Sequence, residues 1–262
     1  MTNTTLNFQN TSGHEVLAAV GKKYLRPGGR IATEQLCRWA NFQPSETVLE
    51  LASSFGYSAI SLAQRYGVKV VGVEKNPDSV VRARENVCVA GLENQIEIIE
   101  GDIFHLDAMP GKFDYVLAEA ILTMQSPLGK AKLLAEIHNR LKPGGKFLSH
   151  ELLANDKEEQ IRADLARVIR VNSTPLSEAN WIAACETAGL KVQKHQIGSM
   201  NLLNLWRMFQ DEGIFPTIQI LVNILTHKSI RERVLAMRHI FNKYRHELGY
   251  IILCAVAHTN SL

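Results

Sequence analysis

The chain has 262 residues, 46% of them hydrophobic and 21% charged, with a net charge of +3 at pH 7. That length can bury a sizeable core as one domain with an elaboration, and a small, dispersed positive charge leaves no electrostatic footprint for nucleic acid. Four widely spaced cysteines (Cys37, Cys88, Cys185, Cys254) argue against a zinc site or a disulfide framework; with a polar opening stretch and no apolar run of ~20 residues, a cytoplasmic protein with reduced thiols and no membrane span is expected.

In chain order, residues 1–45 read as an N-terminal helical cap, with "RPGG" at 26–29 as a turn and Thr33 as the N-cap of a helix through Trp39. From 46 onward, short β-branched runs alternate with helical patterns. The strands are Thr47–Leu51, Val68–Val73, Ile96–Ile99, Tyr115–Ala118 and, after the turn "LKPGG", Gly145–Ser149. The helices are Ser58–Tyr66, Pro77–Ala90 and Leu128–Leu141, the second capped by Asn76 or Asp78. Such alternation implies a doubly wound α/β sheet with right-handed crossovers.

The rhythm then changes. The helix "SEANWIAACETAGL" ends at Gly189, the strand "KVQKHQIG" follows, and "GYIILCAVAH" closes the chain. These boundaries give an α/β core over 46–201, an insertion at 202–248 read as a substrate lid, and a final core strand in 249–262. Within the insertion, Trp206, Met208, Phe209, Phe215 and Phe241 are expected to pack a core, or alternatively to wall an apolar chamber. Its basic stretch "KSIRERVLAMRH" is a solvated helix face, or a surface for an acidic substrate or partner.

Ligands of open α/β sheets bind outside the carboxyl ends of the strands, beside the first one. Those ends carry Glu50 with "LASSFG", Glu74, Asp102 in "EGDIF", and Glu119. An acid ending the second strand is the expected partner of ribose hydroxyls, and one after the third can accept from an adenine amino group. A helix cap or solvated carboxylate is the bland reading of each acid alone. Four at successive strand ends make it much weaker. Nine histidines without metal-type clustering argue against a metal site.

At these residues the chain resembles the class I S-adenosylmethionine-dependent methyltransferases, from about residue 20 to its end. "VLELASSFG" stands for the acid-x-Gly-x-Gly-x-Gly loop, "VVGVEKNP" for the ribose strand and "IIEGDIFHL" for the adenine turn. "FDYVLAEAIL" and "LKPGGKFLSHE" stand for strands four and five, and "AGLKV" with "IILCAVA" for a reversed sixth and seventh. "VNSTPLSEANWIAACETAGL" further resembles the small-molecule, quinone-biosynthesis-like group. The resemblance implies a seven-stranded, mostly parallel, Rossmann-like sheet and S-adenosylmethionine as cofactor, with S-adenosylhomocysteine as product. By position, Ala52, Ser53, Ser54 and Gly56 would line the methionine and ribose portion, and Glu50 would orient the loop or the amino group. Glu74 would hold the ribose, Lys75 would pack beside the adenine, and Asp102 with the Ile103 backbone would read its edge. Glu119 would face the sulfonium.

A phosphate-free cofactor relaxes the need for glycine in the first loop. Ala52 then fits provided its φ is negative, and Ser54 is the departure if its φ is positive. The expected activity is in-line methyl transfer to a small-molecule acceptor, apolar or aromatic, catalysed by proximity and desolvation. Proton-transfer candidates are Glu119 and His150, followed by Glu151, His14 and Tyr24. Two alternatives stand: a methyltransferase-like binding or assembly module without turnover, and a nicotinamide-dependent oxidoreductase, the latter weakened because "ASSFG" lacks GxGxxG spacing. Oligomeric state is not legible.

Overall fold

The computed structural model describes residues 11–109 and 111–258; the stretch read above for a signal core, residues 1–10, lies outside them. Seven strands, β1 (Thr47–Leu51), β2 (Lys69–Glu74), β3 (Ile96–Glu100), β4 (Phe113–Glu119), β5 (Leu141–Ala154), β6 (Leu190–Ser199) and β7 (Leu248–Ala257), form one sheet in the order β3-β2-β1-β4-β5-β7-β6. The first five pair in parallel. The chain order therefore reverses beside β1, which makes the carboxyl ends of β1 and β4 the switch point. The sixth and seventh strands are not reversed together, as expected above; only β7 is. The amide of His258, past the end of β7, donates to Gly189 at the head of β6, and Met200 past β6 donates to Leu248 at the head of β7.

The connecting helices follow their local chemistry. α1 (Gly13–Ala19), α2 (Gly29–Ala40), α3 (Tyr57–Tyr66), α4 (Pro77–Val89) and α5 (Pro127–Arg140) precede β5. The side chain of Asn76 accepts the amides of Asp78 and Ser79, with Pro77 opening α4 where its missing N–H costs nothing. β1 and β4 are buried along nearly their whole length, as parallel strands covered on both faces must be.

Two local expectations are corrected and one helix was missed. α2 starts at Gly29, not after Thr33, whose hydroxyl instead donates back to the Gly29 carbonyl. "LKPGG" lies inside β5: Leu141 stands opposite Phe113 and Lys146 opposite Tyr115, so the turn chemistry makes a bulge within the strand. α6 (Glu158–Ile169) was not legible because it is bounded by Lys157 and Arg170, both left-handed at φ +51° and +54°, with no side-chain cap at its start. The remaining helices are α7 (Glu178–Thr187), α8 (Leu205–Glu212), α9 (Ile214–Thr226) and α10 (Lys228–Lys243).

The chain forms two compact units. The sheet unit comprises Glu34–Glu151, Ala179–Gln196 and Ile251–Leu262. Trp181, Phe147, Leu133, Leu134 and Ile137 are buried in it, and the Lys130 ammonium lies 5.7 Å from the Trp181 ring centre. The helical unit comprises Met1–Thr33, Leu152–Glu178 and Ile197–Tyr250, so the N-terminal segment and the insertion share one body. Val16, Ile161, Leu165, Met208, Met237 and Phe241 belong to its apolar core. A buried ion pair, Lys22 to Glu212 at 3.1 Å, ties the N-terminal segment to α8, and Glu212 also accepts the amides of Lys23 and Tyr24. A buried pair of this kind is kept by its extra hydrogen bonds, since desolvation otherwise offsets the attraction. Trp206 and Phe215 do not pack a core; they are 72% and 85% exposed.

β6 and β7 approach closely through Gly198 and Gly249. A Cβ at residue 249 would collide with the Gly198 carbonyl oxygen, which is backbone and cannot turn away. Gly249→Ala should lose about 2–3 kcal/mol by overpacking, a Tm fall of roughly 5–10 °C in a thermal melt. An unchanged melt would mean the two backbones separate freely.

Candidate functional site

The sheet unit carries the cofactor and proton-transfer candidates singled out from the sequence except His14 and Tyr24. Three backbones in the loop after β1 are left-handed at alternate positions: Ala52 at φ +54°, Ser54 at +49° and Gly56 at +76°. The Ser53 amide donates to the Val73 carbonyl of β2 at 3.0 Å, and the Gly56 amide to the Ser53 carbonyl at 2.9 Å. This folds the loop over β2, where Gly72 makes room: a Cβ there would stand 2.8 Å from the Ser53 hydroxyl. That hydroxyl is buried and has no hydrogen-bond partner among the described residues.

Glu74 closes the arrangement. One carboxylate oxygen accepts the Ser54 amide at 2.8 Å and the other accepts the Asn76 amide at 2.9 Å. Next to it, Lys75 donates to Asp102 at 2.8 Å, and the second Asp102 oxygen accepts the Phe104 amide. The Lys75 hydrogen bond, then that amide, hold the Asp102 carboxyl below the usual carboxylate range. Ile103 follows, half-buried. Toward the middle of the sheet, Glu50 is 5% exposed and faces Gly72 and Leu117 across the ladders. Glu119, at the end of β4, accepts from Ser58 on α3 at 3.4 Å. Ser58 was not singled out from the sequence, although its place in the first turn after the loop was a usable signal. Ala120 is again left-handed, at φ +60°, and donates to the His150 carbonyl.

The arrangement is chemically selective. A pyrophosphate needs loop amides free to donate to it, but here the Ser54 amide is turned onto a carboxylate, and the surrounding side chains are acids. Two acids with spare acceptor lone pairs suit ribose hydroxyls and an exocyclic amine, and neighbouring carboxylates suit a cation.

Comparison with known proteins agrees. Residues 48–145 match the family described as a methyltransferase domain. The chain is 34% identical over 244 residues to an uncharacterized protein of Haemophilus influenzae, covering 93% of this chain and 97% of that one. It is 22% identical to methyltransferase GfsG of Streptomyces halstedii over 88% of this chain and 81% of the other. Its fold matches phosphoethanolamine N-methyltransferase 2 of Haemonchus contortus, in complex with phosphomonomethylethanolamine and S-adenosylhomocysteine. That TM-score is 0.71 at 15% identity, over 98% of this chain and 58% of that one.

Through residues 48–145 the chain belongs with the class I S-adenosylmethionine-dependent methyltransferases. It is a methyltransferase by family, with S-adenosylmethionine as cofactor. The condition set for Ala52, a negative φ, is not met. In this methyltransferase both Ala52 and Ser54 adopt the glycine geometry of the family's loop without being glycine. The loop is held over β2 by the Val73 and Glu74 bonds, and those bonds outweigh a left-handed cost of about 1–2 kcal/mol per residue.

The candidate bases are placed differently from one another. His150 is 1% exposed and lies beside Glu119 in the β4–β5 ladder. His14 and Tyr24 belong to the helical unit. Glu151, 1% exposed, accepts the Leu122 amide at 3.2 Å, the Thr123 amide at 2.8 Å and the Thr123 hydroxyl at 2.6 Å. It thereby fastens the single 3-10 turn Leu122–Met124 after β4. Burial pushes its carboxyl from the ordinary 4.5 up to about 7, against the pull of those donors and of Lys130.

Two outcomes follow. Ala52→Gly and Ser54→Gly each relieve left-handed strain of about 1–2 kcal/mol, less about 0.5–1 kcal/mol for the looser unfolded chain, so thermal stability should stay level or rise slightly. A clear loss in either melt would mean that the side chain itself holds the loop. For Glu151, the folded pKa lies above the unfolded one, so the fold binds the extra proton between them. Stability should therefore fall as pH rises from about 4.5 through 7, by roughly 3 kcal/mol. Urea midpoints at pH 5 and pH 8 should show this decline shrinking in Glu151→Gln; an identical decline in both proteins would remove Glu151 as its source.

Proposed function

We propose that this methyltransferase transfers the methyl group of S-adenosylmethionine to a small-molecule acceptor, with the cofactor held at the carboxyl edge of β1–β4. Glu74 takes the ribose hydroxyls through its remaining lone pairs. Asp102 and the Ile103 backbone read the adenine edge, with Lys75 beside the ring. Ala52, Ser53, Ser54 and Gly56 line the methionine and ribose portion, the Ser53 hydroxyl supplying a donor. Glu50 steadies the loop or the amino group, and Glu119 faces the sulfonium. The observation that carries this reading is the Glu74 bridge between Ser54 and Asn76 under a loop with alternate left-handed residues.

When bound, the cofactor supplies a carbon already activated for displacement. The chain's own contribution is alignment and exclusion of water, which is where most of the rate in such a reaction arises. Where the acceptor begins protonated, we assign proton removal to Glu119, the half-buried acid that Ser58 orients, rather than to the buried His150 ring. A small-molecule acceptor is supported by the quinone-biosynthesis-like stretch at 171–190 and by the phosphobase ligand of the Haemonchus neighbour.

Calorimetric titration with S-adenosylmethionine, S-adenosylhomocysteine and NAD tests the site. The first two should bind and NAD should not. Glu74→Ala should weaken binding by on the order of 10²-fold, the cost of lost hydrogen bonds to a charged acceptor. Binding of NAD alone would remove the assignment. The acceptor class is tested by S-adenosylhomocysteine release with small amines, phenols and acidic carbon compounds against protein and RNA; turnover on the macromolecules alone would refute it. Tight cofactor binding without turnover on any of these would favour a binding module.

A further inference from the structure

We infer that α8 and α9 dock this protein onto an anionic lipid surface. α9 reads IFPTIQILVNILT, thirteen residues without a charge. Thr217 and Ile220 bury one side of it. On the other side Ile214, Phe215, Ile218, Val222 and Leu225 are 64%, 85%, 49%, 50% and 63% exposed. At 3.6 residues per turn those five fall within one arc of about 100°. They form a continuous stripe, not scattered exposure. Trp206 on α8 adds a ring that is 72% exposed. Half of the fourteen large apolar side chains exposed among the described residues lie on these two helices, so the exposure is concentrated where a partner would sit.

The charges around the stripe select the partner. The first six residues of α10 carry Lys228, Arg231 and Arg233 against Glu232 alone, hence +2, whereas Lys243 at its far end pairs with Asp164. Its start borders the stripe: Arg231 donates to the Leu225 carbonyl at 2.9 Å, and His227 contacts the Asn223 carbonyl. Lys228, between them, is 81% exposed. The acids of α8 point inward. Asp211 is held by Arg207 and the Arg30 amide, and the buried Glu212 by Lys22. The outward surface is therefore apolar and cationic, with Trp and Phe on the apolar part, the composition of a helix lying in a lipid interface. A second copy fits less well, because a twofold contact through α9 would bring two cationic α10 starts together. α9 is about 20 Å long, enough to lie in the interface, and no helix among the described residues is long and apolar enough to cross a membrane.

Sedimentation with vesicles tests this. The protein should partition at least about tenfold more strongly onto phosphatidylcholine mixed with phosphatidylglycerol than onto phosphatidylcholine alone, and high salt should erase most of the difference. Phe215→Ser with Val222→Ser should weaken partition about tenfold or more on both vesicles. Lys228→Glu with Arg231→Glu should remove the preference for the anionic vesicle. Unchanged S-adenosylhomocysteine binding in both variants shows that they are folded. Equal, weak sedimentation of wild type and variants would overturn the inference. So would light scattering that shows a dimer which Phe215→Ser with Val222→Ser dissolves.

Discussion

The edge formed by the carboxyl ends of β1 and β2 depends on a single carboxylate. Glu74 ends β2, yet its two oxygens reach the amide of Ser54 in the loop after β1 and that of Asn76 at the start of α4. One side chain thus joins β2 to the loop after β1 and to the start of α4, and leaves each oxygen a lone pair for a ligand. Charge-assisted bonds to amides are about twice as strong as neutral ones, which makes this a suitable anchor for a loop that would not choose its own conformation.

The loop needs such an anchor. Ala52 and Ser54 occupy left-handed backbone without being glycine, and Ala120 does the same at the end of β4. Three strained residues at neighbouring strand ends are characteristic of a site whose geometry is over-determined by its surroundings. Gly72 completes the design by omission: a side chain there would displace Ser53 and lift the loop from β2. On the other side of the switch point, Glu151 plays the corresponding part for the turn after β4, again by accepting backbone amides in a buried setting. Both flanks of the site are therefore shaped by acids bonded to main chain.

The helical unit follows a different rule. The acids of α8 are held internally, in Lys22–Glu212 and Arg207–Asp211, while an uncharged α9 and the cationic start of α10 lie outside. Satisfying buried charge is obligatory, so these two pairs dictate which face of α8 turns inward. The outer face is then free to carry recognition.

Strand–helix alternation, the strand-end acids and the Asn76 cap were legible because each depends on residues within a few positions of one another. Period, capping and turn chemistry are local properties, and they sufficed for the sheet class and for the places of Glu50, Glu74, Asp102 and Glu119 at or near strand ends. What stayed hidden depends on contacts distant in sequence. The sign of φ at Ala52 could not be read locally, because the left-handed loop is held by bonds from Ser53 and Ser54 to Val73 and Glu74. α6 escaped notice because its ends use left-handed Lys157 and Arg170 in place of recognisable caps. The bulge at "LKPGG" arises only when β4 fixes the register of β5. Trp206 and Phe215 read as core because composition cannot tell which side of a helix is covered. The sequence alone determined the family's sheet and its acidic edge; tertiary structure decided backbone strain, burial and exposed faces, because those energies belong to pairs of residues that only folding brings together.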